Sequence, residues 1–84
     1  MTLKIISTTE VLFEGEVALV SLPGSMGRFT VLKNHASLIS TLVPGTVGYR
    51  LSADLGRDED YDGTFEVKGG IADIDSNIIS VCVY

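Results

Sequence analysis

The sequence is poor in the groups that most metal and redox chemistry requires. Its 84 residues hold one cysteine, Cys82, and one histidine, His35. A lone thiol cannot close an internal disulfide, the usual support of a small secreted domain, and this points to a reducing compartment. A lone imidazole excludes any metal site built on two or more histidines of one chain. Cations are scarce as well: six Lys and Arg against eleven Asp and Glu give a formal net charge of -5. Such a surface repels phosphate backbones and anionic lipid headgroups, so nucleic acid is not an expected partner. No apolar run reaches the roughly 18 to 20 residues of a spanning helix, and Met1 to Ile6 is too short for a signal peptide. Direct insertion into a membrane is therefore not expected.

The residues that are abundant favour strands. Val, Ile and Thr make up 23 of the 84 residues, and their branched side chains suit a pleated, half-buried surface better than a helix. Gly15, the stretch Pro23 to Gly27, Pro44-Gly45, Gly56, Gly63 and Gly69-Gly70 cut the chain into short pieces, none with ten residues of helical period. The expected strands are Leu3 to Ser7, Val11 to Leu22, Arg28 to Leu32, Leu38 to Val43, Thr46 to Leu51, Thr64 to Lys68, Ile71 to Asp75 and Ile78 to Val83. The predicted fold is all-β, a two-sheet β-sandwich or flattened barrel of about ten short strands in one domain over residues 1–84.

Alternation separates ordinary strands from unusual ones. Thr64 to Lys68 puts Phe65 and Val67 inward and Thr64, Glu66 and Lys68 outward. Val17 to Leu22 is apolar on both faces, with Ala18, Val20 and Leu22 on one and Val17 and Leu19 on the other. Leu38 to Val43 repeats the pattern, with Leu38 and Leu42 set against Ile39 and Val43. A sandwich buries only its inner faces, so the outer apolar residues must meet a covering loop or a partner. The residues favour neither alternative over the other.

Asp58-Glu59-Asp60-Tyr61-Asp62-Gly63 spells D-x-D-x-D-G, the first half of a calcium loop in which alternating carboxylates converge on a cation. The twelfth position, which should be a bidentate Glu, is Gly69, and the intervening residues read as strand. A solvated hairpin tip is the favoured reading and a small acidic calcium-binding module the alternative. Cys82 lies in an apolar strand with no nearby cation to activate it. No Ser stands in a G-x-S-x-G turn, and Pro23-Gly24-Ser25-Met26-Gly27 lacks the spacing and the lysine of a phosphate loop. The inventory offers no catalytic residue, no cofactor site and no metal site, which argues against an enzyme.

Ser21 to Gly45, SLPGSMGRFTVLKNHASLISTLVPG, resembles the epsilon subunits of F-type ATP synthases. In that family a P-G-x-x-G turn leads into a short strand, a His-Ala corner, an apolar strand and P-G. Here these are Pro23 to Gly27, Phe29 to Leu32, His35-Ala36, Leu38 to Leu42 and Pro44-Gly45. Val11 to Val17 is similar to the family's early strand, and Val67-Lys68-Gly69-Gly70-Ile71-Ala72 to its late double-glycine strand. The chain departs from the family's frequent acidic residue, glycine and prolines at Arg28, Thr30, Lys33 and Ser37. Family members usually continue into a helical hairpin, whereas this sequence stops at Tyr84.

The resemblance implies a non-catalytic rotor subunit at the foot of the central stalk, peripheral on the cytoplasmic face of a bacterial inner membrane. It would join the gamma subunit to the membrane rotor ring of c subunits and couple ion-driven rotation to ATP synthesis. Candidate gamma-facing residues are Leu38, Ile39, Ser40, Leu42, Val43, Pro44 and Thr46; candidates for the ring end are Gly27, Arg28, Phe29 and His35. Without the hairpin, the expectation is coupling without gating of hydrolysis.

Overall fold

The computed structural model describes residues 1–52 and 61–84. Nine strands run through them: β1 (Thr2–Ile6), β2 (Val11–Glu16), β3 (Leu19–Gly24), β4 (Gly27–Leu32), β5 (Leu38–Leu42), β6 (Gly45–Arg50), β7 (Gly63–Val67), β8 (Gly70–Asp75) and β9 (Ile78–Val83). The ladder order is β2-β1-β9-β8-β5-β3-β6-β7, with β4 paired to the side of β3. All neighbours are antiparallel except β1 and β9, where Thr2 lies beside Ile78 and Ile6 beside Cys82. The ladder curls until its ends meet: the Phe13 ring of β2 packs, tilted by 35°, 4.3 Å from Tyr49 of β6 and lies 6.3 Å from Phe65 of β7. The result is the all-β flattened sandwich or barrel that the strand pattern predicts.

The core lies where alternate residues of both layers face each other. Leu3, Ile5, Val20, Leu22, Val31, Val47, Ala72, Ile79 and Val81 are sealed from solvent entirely. β8 and β9 show the period cleanly, with Ala72, Ile74, Ile79 and Val81 inward and Ile71, Asp73, Ile78 and Cys82 outward. β7 also follows its expected phase, with Phe65 and Val67 inward and Thr64 and Glu66 outward. At about 25 cal/mol per Å² of apolar area, each fully buried Leu, Ile or Val contributes roughly 1.5 to 3 kcal/mol.

One expected strand is in fact two. Val11 to Leu22 breaks between Glu16 and Leu19, where the Val17 amide donates to the Met1 carbonyl and the Ala18 amide to the Arg50 carbonyl. Successive amides thus bind strands of different layers, and the chain crosses from one layer to the other at this point. The core-facing phase changes across the crossing, from Phe13 and Val17 to Val20 and Leu22, and the apolar run Val17 to Val20 hides the change.

Local chemistry fixes the corners. Ser76 and Asn77 both have positive φ, 52° and 62°, and join β8 to β9 as a two-residue hairpin of the kind whose twist matches the flanking strands. Asn77 also accepts the Asn34 amide at 2.6 Å and donates to the Asn34 side-chain oxygen at 3.0 Å. These bonds tie the corner between β4 and β5 to the β8–β9 tip. At Gly70, φ is +152° and an added Cβ would fall 2.1 Å from the Cys82 carbonyl, so only glycine fits.

Candidate functional site

The two strands with doubly apolar patterns end in different situations. All six residues of β3 are buried. Its outer face is covered by the chain itself: Arg28 reaches past Pro23, its cross-strand partner, to place Nη2 2.6 Å from the Thr46 carbonyl. Beside it the Tyr61 ring lies over Gly48, the partner of Ser21, so closely that a Cβ there would sit 2.8 Å from the ring. On β3 the covering-segment alternative therefore holds.

β5 is the opposite case. Leu42 is 6% exposed and belongs to the core, so it is not available to a partner as the sequence reading supposed. Leu38, on the same side of the strand, is 39% exposed, and Ile39 on the outer side is 71% exposed. Inward burial fails along β5 because β4 pairs only with β3, and β5 meets β3 only where Leu42 faces Gly24. The layers therefore part between β4 and β5.

That parting is an open groove of about 490 Å³. One wall is the β3–β4 turn and the start of β4, with Met26, Gly27, Arg28 and Phe29; the other is β5 from Leu38 to Thr41. The Ser25 amide donates to the Thr41 carbonyl at 3.0 Å, the two hydroxyls lie 2.8 Å apart, and the Val43 amide donates to the Pro23 carbonyl at 2.9 Å. These bonds hold the walls in register. Met26 at the rim is 99% exposed, although nothing in its turn requires a methionine.

The groove brings together residues that the sequence reading assigned to two separate contacts. Gly27, Arg28 and Phe29 of the ring set face Leu38, Ile39 and Ser40 of the gamma set across it. Thr46 continues the row from Arg28, and its hydroxyl donates to Glu66 at 2.6 Å. Val43 and Pro44 are exposed just beyond β5. His35 is not in the groove; its Nδ1 lies 2.7 Å from the Ala36 carbonyl in the corner tied to Asn77.

A second recess, of about 340 Å³, lies on the outer face of β1, β9 and β8 and is lined chiefly by Ile6, Ile71, Cys82 and Tyr84. Sequence reading passed over it, although Ile6, Ile71 and Cys82 are outward positions in strands whose inward positions are also apolar. Asp58, Glu59 and Asp60 of the acidic motif lie outside the described residues. Asp62, at its end, accepts the Leu51 amide at 2.6 Å. Among the described residues no group of three or more His, Cys, Asp or Glu is placed to hold a metal, and no helix is long and apolar enough to cross a membrane.

The fold is thus a small β-sandwich that leaves apolar side chains exposed around an open groove. Comparison with known proteins identifies which kind. The family profile of the ATP synthase delta/epsilon chain β-sandwich domain matches residues 1–84. An ATP synthase epsilon chain of Chlorobaculum tepidum is 40% identical over 76 residues, which cover 90% of this chain and 80% of that one. One of Campylobacter jejuni is 37% identical over 78 residues, covering 93% of this chain and 56% of its own length. The chain thus belongs to the ATP synthase epsilon-chain family and spans little more than half the length of several of its relatives.

Solved structures agree on the fold. A chain of the Tetrahymena thermophila mitochondrial ATP synthase central stalk and c-ring superposes with a TM-score of 0.75 at 14% identity, covering 98% of this chain and 61% of that one. A chain of the Euglena gracilis mitochondrial enzyme gives 0.76 at 20% identity, covering 96% and 48%.

Proposed function

We propose that this chain is the rotor subunit that joins gamma to the membrane ring of c subunits and passes ion-driven rotation to the catalytic head. The observation that carries this reading is the asymmetry between β3 and β5. Both are apolar on both faces, yet only β5 leaves its surplus apolar side chains, Ile39 above all, in contact with water. A surface of that kind on a small domain marks a place where another protein sits. Gamma is assigned to the outer face of β5 and its end, with Ile39 and Val43, and the ring to the turn end with Gly27, Arg28 and Phe29.

The role is static: the chain transmits torque through contacts that must not slip, and it performs no chemistry. Peripheral attachment to the cytoplasmic face of a bacterial inner membrane follows from binding the ring. A photo-crosslinking residue at Ile39 should capture gamma and one at Met26 should capture a c subunit, in membranes from cells expressing the whole enzyme. Crosslinks to neither subunit at both positions would overturn the assignment.

A further inference from the structure

The charges of this chain are segregated along it. All eleven Asp and Glu fall before residue 17 or after residue 53, so β3, β4, β5 and β6 hold no anion; their charges are Arg28 and Arg50, with Lys33 just beyond β4. The groove between β4 and β5 is the point where this cationic segment also exposes apolar side chains. Among the described residues no acid lines it, and Arg28 is the only charged one that does.

Arg28 is held in place but not saturated. Nη2 donates to the Thr46 carbonyl, and among the described residues no carboxylate pairs with the guanidinium, whose planar fork has five donors. Glu66, in the same cross-strand row, is engaged by the Thr46 hydroxyl. A guanidinium fixed on one side and open on the other is arranged to take a carboxylate through two parallel bonds.

We propose that this groove receives a protein segment in which an apolar side chain stands next to a carboxylate. The apolar group enters between Met26, Phe29 and Leu38, and the carboxylate pairs with Arg28. The inference rests on the rotor reading above, which assigns the Arg28 and Phe29 end to the ring and so makes the segment part of a ring subunit, and it adds that segment's chemistry. A lipid surface fits less well, because headgroup binding draws on clusters of about four to eight cations, whereas the groove offers one on a chain of net charge -5.

The test is capture of the ring and gamma by tagged chain from cells expressing the whole complex, with Arg28→Glu, Arg28→Lys and Met26→Asp compared with wild type. Thermal melting checks that each variant folds, and Met26→Asp guards against a loss of fold because Met26 is 99% exposed. Expected are a loss of about tenfold or more in capture for Arg28→Glu and Met26→Asp, and substantial retention for Arg28→Lys. Replacing the paired acid of the partner by Arg should restore capture by Arg28→Glu.

Capture of both subunits at wild-type level by Arg28→Glu and Met26→Asp would overturn the inference and leave the rotor reading standing. No capture by the wild-type chain would overturn both. Binding to phosphatidylglycerol vesicles that depends on Arg28 would assign the groove to lipid, and a dimer of this chain lost in Arg28→Glu would assign it to a second copy. Either result would refute the proposal.

Discussion

Ile39 offers the sharpest separation of folding from assembly. Its side chain is 71% exposed on the outer face of β5, directly opposite Asp73 of β8. Asp at this site would face a like charge across the strand pair, so Ile39→Lys is the cleaner perturbation. In the isolated domain a Lys opposite Asp73 is neutral or stabilising by about 0.2 to 1 kcal/mol. In a complex with gamma, the same change forfeits burial of most of an Ile side chain, about 1 to 2 kcal/mol. It also places an ammonium group in a dry contact, at a further cost of several kcal/mol unless it reaches water. A net loss of at least about 2 kcal/mol weakens binding roughly 30-fold. The assay is calorimetric or surface-based titration of purified gamma with wild-type and Ile39→Lys chain, alongside urea unfolding of each. Unchanged affinity with an intact fold would show that β5 is not the gamma contact. Leu42→Lys is the internal comparison: Leu42 is 6% exposed, so this variant should fail in unfolding before binding can be assessed.

Three further outcomes follow from the fold. Gly70→Ala should lower stability by about 3 kcal/mol or more, from the clash with the Cys82 carbonyl at a backbone angle reserved for glycine; a urea midpoint close to wild type would refute this. Asn77→Gly keeps the left-handed turn but removes the bonds to Asn34, at about 1 kcal/mol, whereas Asn77→Ala adds about 1 to 2 kcal/mol of backbone strain. An Ala variant at least as stable as the Gly variant would contradict that ordering. Millimolar calcium should leave the melting temperature unchanged, since a ligand stabilises only the state that binds it; a rise abolished by Asp58→Asn and Asp60→Asn would revive the acidic-loop alternative.

The strands were legible because their signals are local. Branched residues at period two place Phe65, Val67, Ala72, Ile74, Ile79 and Val81 in the core, and glycine and proline mark the corners near their observed positions. The break in Val11 to Leu22 was not legible, because the crossing between layers is made by backbone amides of Val17 and Ala18, and the apolar run Val17 to Val20 hides the change of core-facing phase. The fate of the two doubly apolar strands was equally hidden. Whether Ser21 and Pro23 are covered depends on Tyr61, forty residues from Ser21, and on Arg28 bonding across β3 to Thr46 of β6, pairings that sequence pattern does not reveal. For the site, the residue types at Met26, Arg28 and Ile39 were visible, but their convergence required knowing that β4 and β5 do not pair. Leu42 was misplaced because a two-residue period cannot say which end of an exposed strand turns inward against the core.

The claim that this chain fastens gamma to the ring is tested most directly by co-expressing it with the gamma subunit and the c ring of the same source and purifying through a tag on this chain. The account predicts that gamma and the ring elute together with it in fixed proportion, and that both are lost from the eluate when Ile39 and Arg28 are replaced by Lys and Glu. Elution of folded wild-type chain alone, with gamma and ring in the unbound fraction, would contradict it.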